Sequence, residues 1–211
     1  MGRNIRNHLS LSEKKDTIEM MLENNDIDIS GWDLKKSLSL LKKSNAPILE
    51  RIQSPIIYKS DSVFIEEMRE VATAFYSRIA TIHHYLSMSK KFVAELEVGS
   101  EYKLKKFFYA LRSSLVCKWI IEKNELPPIE FHKIYPNLGI DSVLVSRIEE
   151  LIQLKSTINE SYYHRGEKPL LNLMKDINEE AERKRDSLPT SKGDSAQLDQ
   201  MFRKFISKYD H

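Results

Sequence analysis

The apolar positions of this chain follow two different rhythms. From Asp61 onward they recur every three or four residues, and each run closes at a recognisable stop, as amphipathic helices require. Phe64, Met68, Val71, Ala72 and Phe75 form the first stripe, with Asp61 or Ser62 as its cap. Ile82, Leu86 and Val93, flanked by Tyr85, Met88 and Phe92, predict a helix over 79–96 that Gly99 ends. Leu104, Phe107, Phe108, Leu111, Leu115 and Trp119 predict a long buried helix, stopped by Asn124 and the Leu-Pro-Pro run from Leu126 to Pro128. Asp141 caps another stripe through Leu144, Ile148, Leu151 and Ile152. Two more follow, one through Leu170, Met174, Ile177 and Ala181 and one through Leu198, Phe202, Phe205 and Tyr209, the latter entered by an Asp194-x-x-Gln197 box. The intervening SLPTSKGDS reads as a flexible loop over 187–194.

In front of Asp61 the rhythm shortens. Ser10-x-x-Glu13 is a capping-box pattern before a short helix, and Ile18 to Leu22 is a strand candidate. Asn24 and Asn25 read as a turn into Asp26-Ile27-Asp28-Ile29, where a period of two puts both carboxylates on one face and both isoleucines beneath. Gly31 permits a sharp turn, Asp33 is placed to cap a helix from Leu34, and Pro55 sets the entry to a third strand over Ile56 to Tyr58. The expected fold is therefore α+β and mostly helical. A few short strands occupy 1–59, and a helical bundle occupies 60–211. No internal repeat or sustained heptad interrupts this division.

Composition narrows the class without naming a function. The chain has 211 residues, enough for one sizeable core or two small ones. Lys and Arg total 33 against 31 Asp and Glu, so the net charge of +2 does not decide for or against a nucleic-acid partner, and local distribution must. The single Cys117 lies in an apolar run and reads as a small buried hydrophobe, which suits a cytoplasmic setting. No stretch of about 18 apolar residues suggests a membrane span, and the N-terminus lacks the apolar segment of a secretory signal.

Three groups of residues invite chemistry. Asp26 and Asp28 either bind a metal or place charge on an exposed strand edge, where it discourages aggregation. Lys90, Lys91, Lys103, Lys105, Lys106, Arg112 and Lys118 crowd two consecutive helices and alternate with Phe92, Tyr102, Phe107, Phe108 and Tyr109. Lys105, Tyr109 and Arg112 share one helix face by their spacing of four and three. Such a face holds phosphates or an RNA backbone, or else it is a solvated surface paired with Glu95, Glu97 and Glu101. His83 and His84 point about 100° apart on a helix and do not chelate one ion, so core packing for one and a hydrogen bond for the other is expected. No nucleophile elbow surrounds Ser10, Ser44 or Ser54, no glycine-rich phosphate loop exists, and Trp32 and Trp119 read as core.

Four ordered blocks then carry a resemblance: GWDLKKSLSLLKKSN, LER-x-x-SPIIY, HHYLSMSKK and KLKKFFYALRSSLVCKW. Together they resemble nucleotidyltransferases of the DNA polymerase β superfamily associated with RNA repair, from about His8 to the LDQMFRKFISK stretch. The resemblance implies a nucleotidyltransferase palm remnant followed by a helical substrate-binding domain. It also implies transfer of a nucleoside monophosphate from a nucleoside triphosphate to a hydroxyl, with RNA as an acceptor and Mg2+ as cofactor. The strand before GWD supplies the third metal carboxylate in such enzymes, which assigns metal and catalytic roles to Asp28, with Asp26 as the alternative. The helical domain commonly contacts the triphosphate, which assigns phosphate binding to Lys90, Lys91, Lys105, Lys106, Tyr109 and Arg112. The chain departs from the pattern in one respect, since the Gly-Ser turn and Asp-x-Asp strand that precede this point in the family do not occur upstream. It is therefore expected to be shortened at its N-terminus and to be inactive alone, leaving a non-catalytic nucleotide- or RNA-binding module as the alternative.

Overall fold

Asp33 shows how the chain passes from strand to helix. Its carboxylate accepts the Lys36 backbone N–H at 2.7 Å and so caps helix α1, Leu34–Lys42. A computed structural model describes residues 15–21, 27–99, 101–191 and 193–209. The described residues divide into two compact units, one from the range 15–76 together with 191–209 and the other from 77–190. The helix at the C-terminus thus packs with the N-terminal helices, although its pattern continues that of the helical bundle.

The first unit begins with an antiparallel hairpin of β1, Thr17–Met21, and β2, Asp28–Trp32, in which Thr17 faces Trp32 and Met21 faces Asp28. Gly31 does not turn the chain. It lies inside β2 opposite Ile18, and the strand runs on to Trp32 because pairing with β1 continues that far. Ile27 and Ile29 are not packed beneath the aspartates; they are 55% and 42% exposed, since this hairpin is a two-stranded ribbon whose apolar residues stay open to solvent. The capping pattern at Ser10, the Asn24-Asn25 turn and Asp26 lie outside the described residues.

After α1 come α2, Ala46–Ile52, and α3, Ser62–Phe75, which are joined in the same unit by the last helix, α8, Ser195–Tyr209. Pro47 sits in the first turn of α2, where its missing N–H costs nothing. Leu38, Leu41, Ile48, Leu49, Met68, Val71, Phe75, Leu198, Met201 and Phe205 are the buried core of this unit. Of the two expected candidates, Asp61 caps α3, accepting from Phe64 N–H at 3.2 Å. Its other oxygen takes Lys208 and Tyr209 of α8, which holds the carboxyl well below its usual range. The third strand over Ile56 to Tyr58 does not form. Pro55 donates no hydrogen bond, the Ser54 hydroxyl folds back onto the Ile56 backbone, and Tyr58 is 98% exposed.

The second unit is built on α5, Leu104–Glu122, which packs against α4, Arg78–Val98, and α7, Lys168–Lys184. Helix α5 has buried residues all around its circumference, among them Phe107, Leu111, Leu115, Val116 and Ile120, so it is the hub. A polar knot sits within this apolar seam. The Ser89 hydroxyl donates to Asn178 Oδ1 at 2.7 Å and lies 2.6 Å from the Ser114 hydroxyl, which joins one residue from each of the three helices. Arg78 donates to the carbonyls of Ile120 and Ile121 at 2.7 and 2.8 Å, which satisfies carbonyls at the α5 C-terminus. Helix α6, Ser142–Thr157, is capped by Asp141 and buries Ile148 and Leu151. A short antiparallel bridge joins β3, Tyr102–Lys103, to β4, Tyr163–His164. The fold is thus mostly helical α+β, with two small two-stranded sheets among the described residues. No described helix is long and apolar enough to cross a membrane. Removing the fully buried Leu111 side chain (L111A) should cost about 2–5 kcal/mol, read as a lower urea midpoint by circular dichroism.

Candidate functional site

Helix α5 turns away from the core at few positions, and three of them meet in a cleft. Lys105, Tyr109 and Arg112 line it together with Phe108. Phe131, from a single 3-10 turn over Phe131–Lys133, closes one side, and Lys155 near the end of α6 and the segment from Ile158 to Tyr162 close the other. The cleft encloses about 250 Å3. Phe108 meets Phe131 edge to face at 6.1 Å, Phe92 stacks beside Tyr109 at 5.6 Å, and the Lys155 ammonium lies 5.2 Å above the Phe108 ring. Arg112 Nη2 lies 3.5 Å from the Pro128 carbonyl. Lys105 donates to both oxygens of Glu160 at 2.9 and 3.1 Å, and that bond raises the Lys105 pKa and lowers that of Glu160. Both groups are solvated, so the pair is a weak one.

The wall formed by 158–162 is held from behind. Leu104 N–H donates to the Tyr162 carbonyl at 3.4 Å, continuing the β3–β4 bridge. Next along the chain, Gly166 and Glu167 both take positive φ, of 92° and 66°. For Glu167 that conformation costs about 1–2 kcal/mol, and its side chain supplies the compensation. The carboxylate is almost fully buried and accepts a bidentate pair from Arg147 Nε and Nη2, at 3.0 and 2.5 Å. It also accepts from His164 Nε2 at 2.9 Å. Burial pushes Glu167 up, but the bonds from Arg147 and His164 outweigh it and hold the carboxyl below its usual value. Tyr102 stacks on Phe107 and donates to the Gly166 carbonyl at 2.8 Å, and burial beside Glu167 pushes its phenol up to about 12.

The structure brings Lys105, Tyr109 and Arg112 into one cleft and places the other expected cations elsewhere. Lys106 pairs with Glu95 at 2.7 Å and Lys90 with Glu182, while Lys91 is exposed on α4; none of the three lines the cleft. Phe131, Lys155, Glu160 and Tyr162 complete it from elements distant in sequence, and no spacing signal singles them out. Neither His83 nor His84 is core. His83 Nε2 lies 3.6 Å from Asp186, and His84 meets Tyr85 edge to face. Cys117 is buried, and burial pushes its thiol far up. Trp119 is core, whereas Trp32 is half-buried with the Arg51 guanidinium 3.8 Å from its ring.

Asp28 lies exposed on β2. Catalytic magnesium needs several oxygen ligands fixed together. Among the described residues no group of three or more His, Cys, Asp or Glu could hold a metal ion, so these residues by themselves do not fit that ion.

Comparison with known proteins gives this arrangement its context. Residues 2–204 match the model of RlaP, the RNA repair pathway DNA polymerase beta family, and the chain belongs to that family. It is similar to the uncharacterized protein YcgL of Bacillus subtilis (strain 168), with 35% identity over 148 residues, which are 70% of this chain and 56% of that protein. The chain thus spans little more than half the length of that curated relative. No solved structure matches it significantly.

Glu167 gives the unit a pH dependence whose sign follows from its depressed pKa. Its contribution to stability is present above the unfolded value near 4.5 and is lost as pH falls through the lower folded value. Glu167→Gln should lower stability by about 1–3 kcal/mol at pH 7 and flatten this acid-sensitive component, measured as denaturation midpoints between pH 7 and pH 3.

Proposed function

We propose that the α5–α6 cleft binds a nucleoside triphosphate on behalf of nucleotidyl transfer to a hydroxyl of RNA. The observation that carries this reading is the convergence of three cations, Lys105, Arg112 and Lys155, with the rings of Phe108, Tyr109, Phe131 and Tyr162 in one concave site. Aromatic faces suit a base and guanidinium or ammonium groups suit phosphates. At about 250 Å3 the cleft is smaller than the roughly 300–1,000 Å3 typical of ligand pockets, so it seats one part of the nucleotide and leaves the rest along its cationic rim.

In the reaction class, the acceptor oxygen bonds the α-phosphorus, the bond to the β-phosphate bridge breaks, pyrophosphate leaves and the hydroxyl proton is released. Asp28, with Asp26 as the alternative, remains the carboxylate proposed for the metal that neutralises charge in such a step. Since the described residues do not fit that metal by themselves, the part assigned here to named residues is binding and orientation. Lys90, Lys91 and Lys106 remain proposed phosphate contacts on α4 and α5, Lys90 and Lys106 by exchanging their pairs with Glu182 and Glu95 for the phosphate.

The test uses the full chain with labelled nucleoside triphosphates, followed by Mg2+ and a mixed RNA pool. Triphosphate binding is expected, and R112A and K155A should each weaken it about tenfold or more through lost charge-assisted hydrogen bonds. Label incorporated into RNA with release of pyrophosphate supports transfer by this chain. Binding without incorporation assigns it the role of a binding module, and no triphosphate binding at low salt overturns the proposal.

A further inference from the structure

The N-terminal unit contains a larger groove that the reading above does not use. It encloses about 530 Å3 and is lined from β2, α1, α2, α3 and α8. That volume is within the roughly 300–1,000 Å3 of ligand pockets. Ile48, Ile52, Met68 and Phe205, all buried, make its floor. Trp32 and Arg51 stand at its rim. The Arg51 guanidinium lies 3.8 Å from the centroid of the Trp32 ring, and the Lys36 ammonium is 5.9 Å from the same ring.

The charge of the groove is open on one side only. Asp61 is its single acidic lining residue, and that carboxylate is already engaged by Lys208, Tyr209 and the Phe64 N–H. Arg51 and Lys59 are exposed, line the groove and make no ion pair among the described residues. An arginine that lies on an indole and pairs with no carboxylate presents a flat, cationic, half-desolvated plane. That surface suits an unpaired base carrying a phosphate, because a base stacks on aromatic or guanidinium planes while its phosphate takes the cation. A base already paired in a duplex is stacked on its neighbours and does not present its face.

We propose that the Trp32–Arg51 groove is a stacking site for an unpaired base of single-stranded RNA, with Lys59 holding the adjoining phosphate. The choice of RNA rests on the proposed function, while the site itself is separate from the α5–α6 cleft. One unit would then hold the strand and the other the nucleotide.

The test measures binding of a short labelled single-stranded oligoribonucleotide to the full chain by fluorescence anisotropy, with tryptophan emission recorded in parallel. W32A and R51A should weaken binding about fivefold or more, the loss expected for one stacked base. K59A should weaken it less and reduce its salt dependence. RNA should quench the emission of the wild-type chain but not of W32F, in which Trp119 remains as emitter; W32F itself should keep most of the affinity because a ring is retained. Should W32A prove unfolded, R51A and K59A carry the test, since both side chains are exposed.

The inference is overturned if R51A and K59A bind RNA as the wild type does. It is equally overturned if quenching persists in W32F, or if an abasic strand of the same length binds as tightly. RNA binding that ignores Trp32 and Arg51 removes this groove alone and leaves the α5–α6 reading standing. A wild-type chain that binds triphosphate but no RNA removes both this inference and the RNA acceptor.

Discussion

Burial of α5 on nearly all of its faces is the constraint on which the second unit depends. A helix packed by neighbours around most of its circumference leaves very few positions where a charged side chain can reach water. Here those positions include Lys105, Lys106, Tyr109, Arg112 and Lys118. The cations are therefore gathered by exclusion: Phe107, Leu111, Leu115 and Ile120 take the interior, and the polar residues share the remaining strip. The Ser89–Ser114–Asn178 knot adds direction to this packing, because three buried polar groups must meet in one alignment of α4, α5 and α7 to be satisfied.

A second constraint turns that strip into a cleft. The chain after α6 must return beside the start of α5 for a wall to exist, and the β3–β4 bridge brings it there. The Arg147–Glu167–His164 cluster then holds the left-handed turn that leads into α7. This is a buried carboxylate with two cation-capable partners, and it serves geometry: a backbone conformation unfavourable for glutamate is kept because releasing it would strand a charge. On the open side of the cleft, Lys105 instead pairs with the solvated Glu160.

Family and activity stand at different depths. Membership of the RNA repair pathway DNA polymerase beta family follows from a match over nearly the whole chain. The catalytic proposal rests on residues of two kinds. Those proposed to bind a nucleotide line one cleft of the second unit, with charge and rings. Those that would hold a metal come down to Asp28 on an open hairpin, with Asp26 outside the described residues.

Most of the helices and several of their caps were legible in the chain itself, whereas α2 was not. A helix declares itself through local periodicity and through short polar residues at its start, so Asp33 and Asp141 could be assigned capping roles, and the cap of α3 narrowed to Asp61 or Ser62, without any neighbour. The single face formed by Lys105, Tyr109 and Arg112 is likewise a property of helical spacing alone. Strands were less legible because they exist only through partners: Ile56 to Tyr58 has the composition of a strand and no ladder to join, and Gly31 stays extended because β1 reaches that far. Trp32 shows the same limit, since a large ring reads as core until the structure sets Arg51 against it. Tertiary structure alone decided which cations share a cleft, which are spent on Glu95 and Glu182, and that Phe131, Lys155 and Tyr162 face α5. Those relations are between segments far apart in sequence, and only packing brings them within reach.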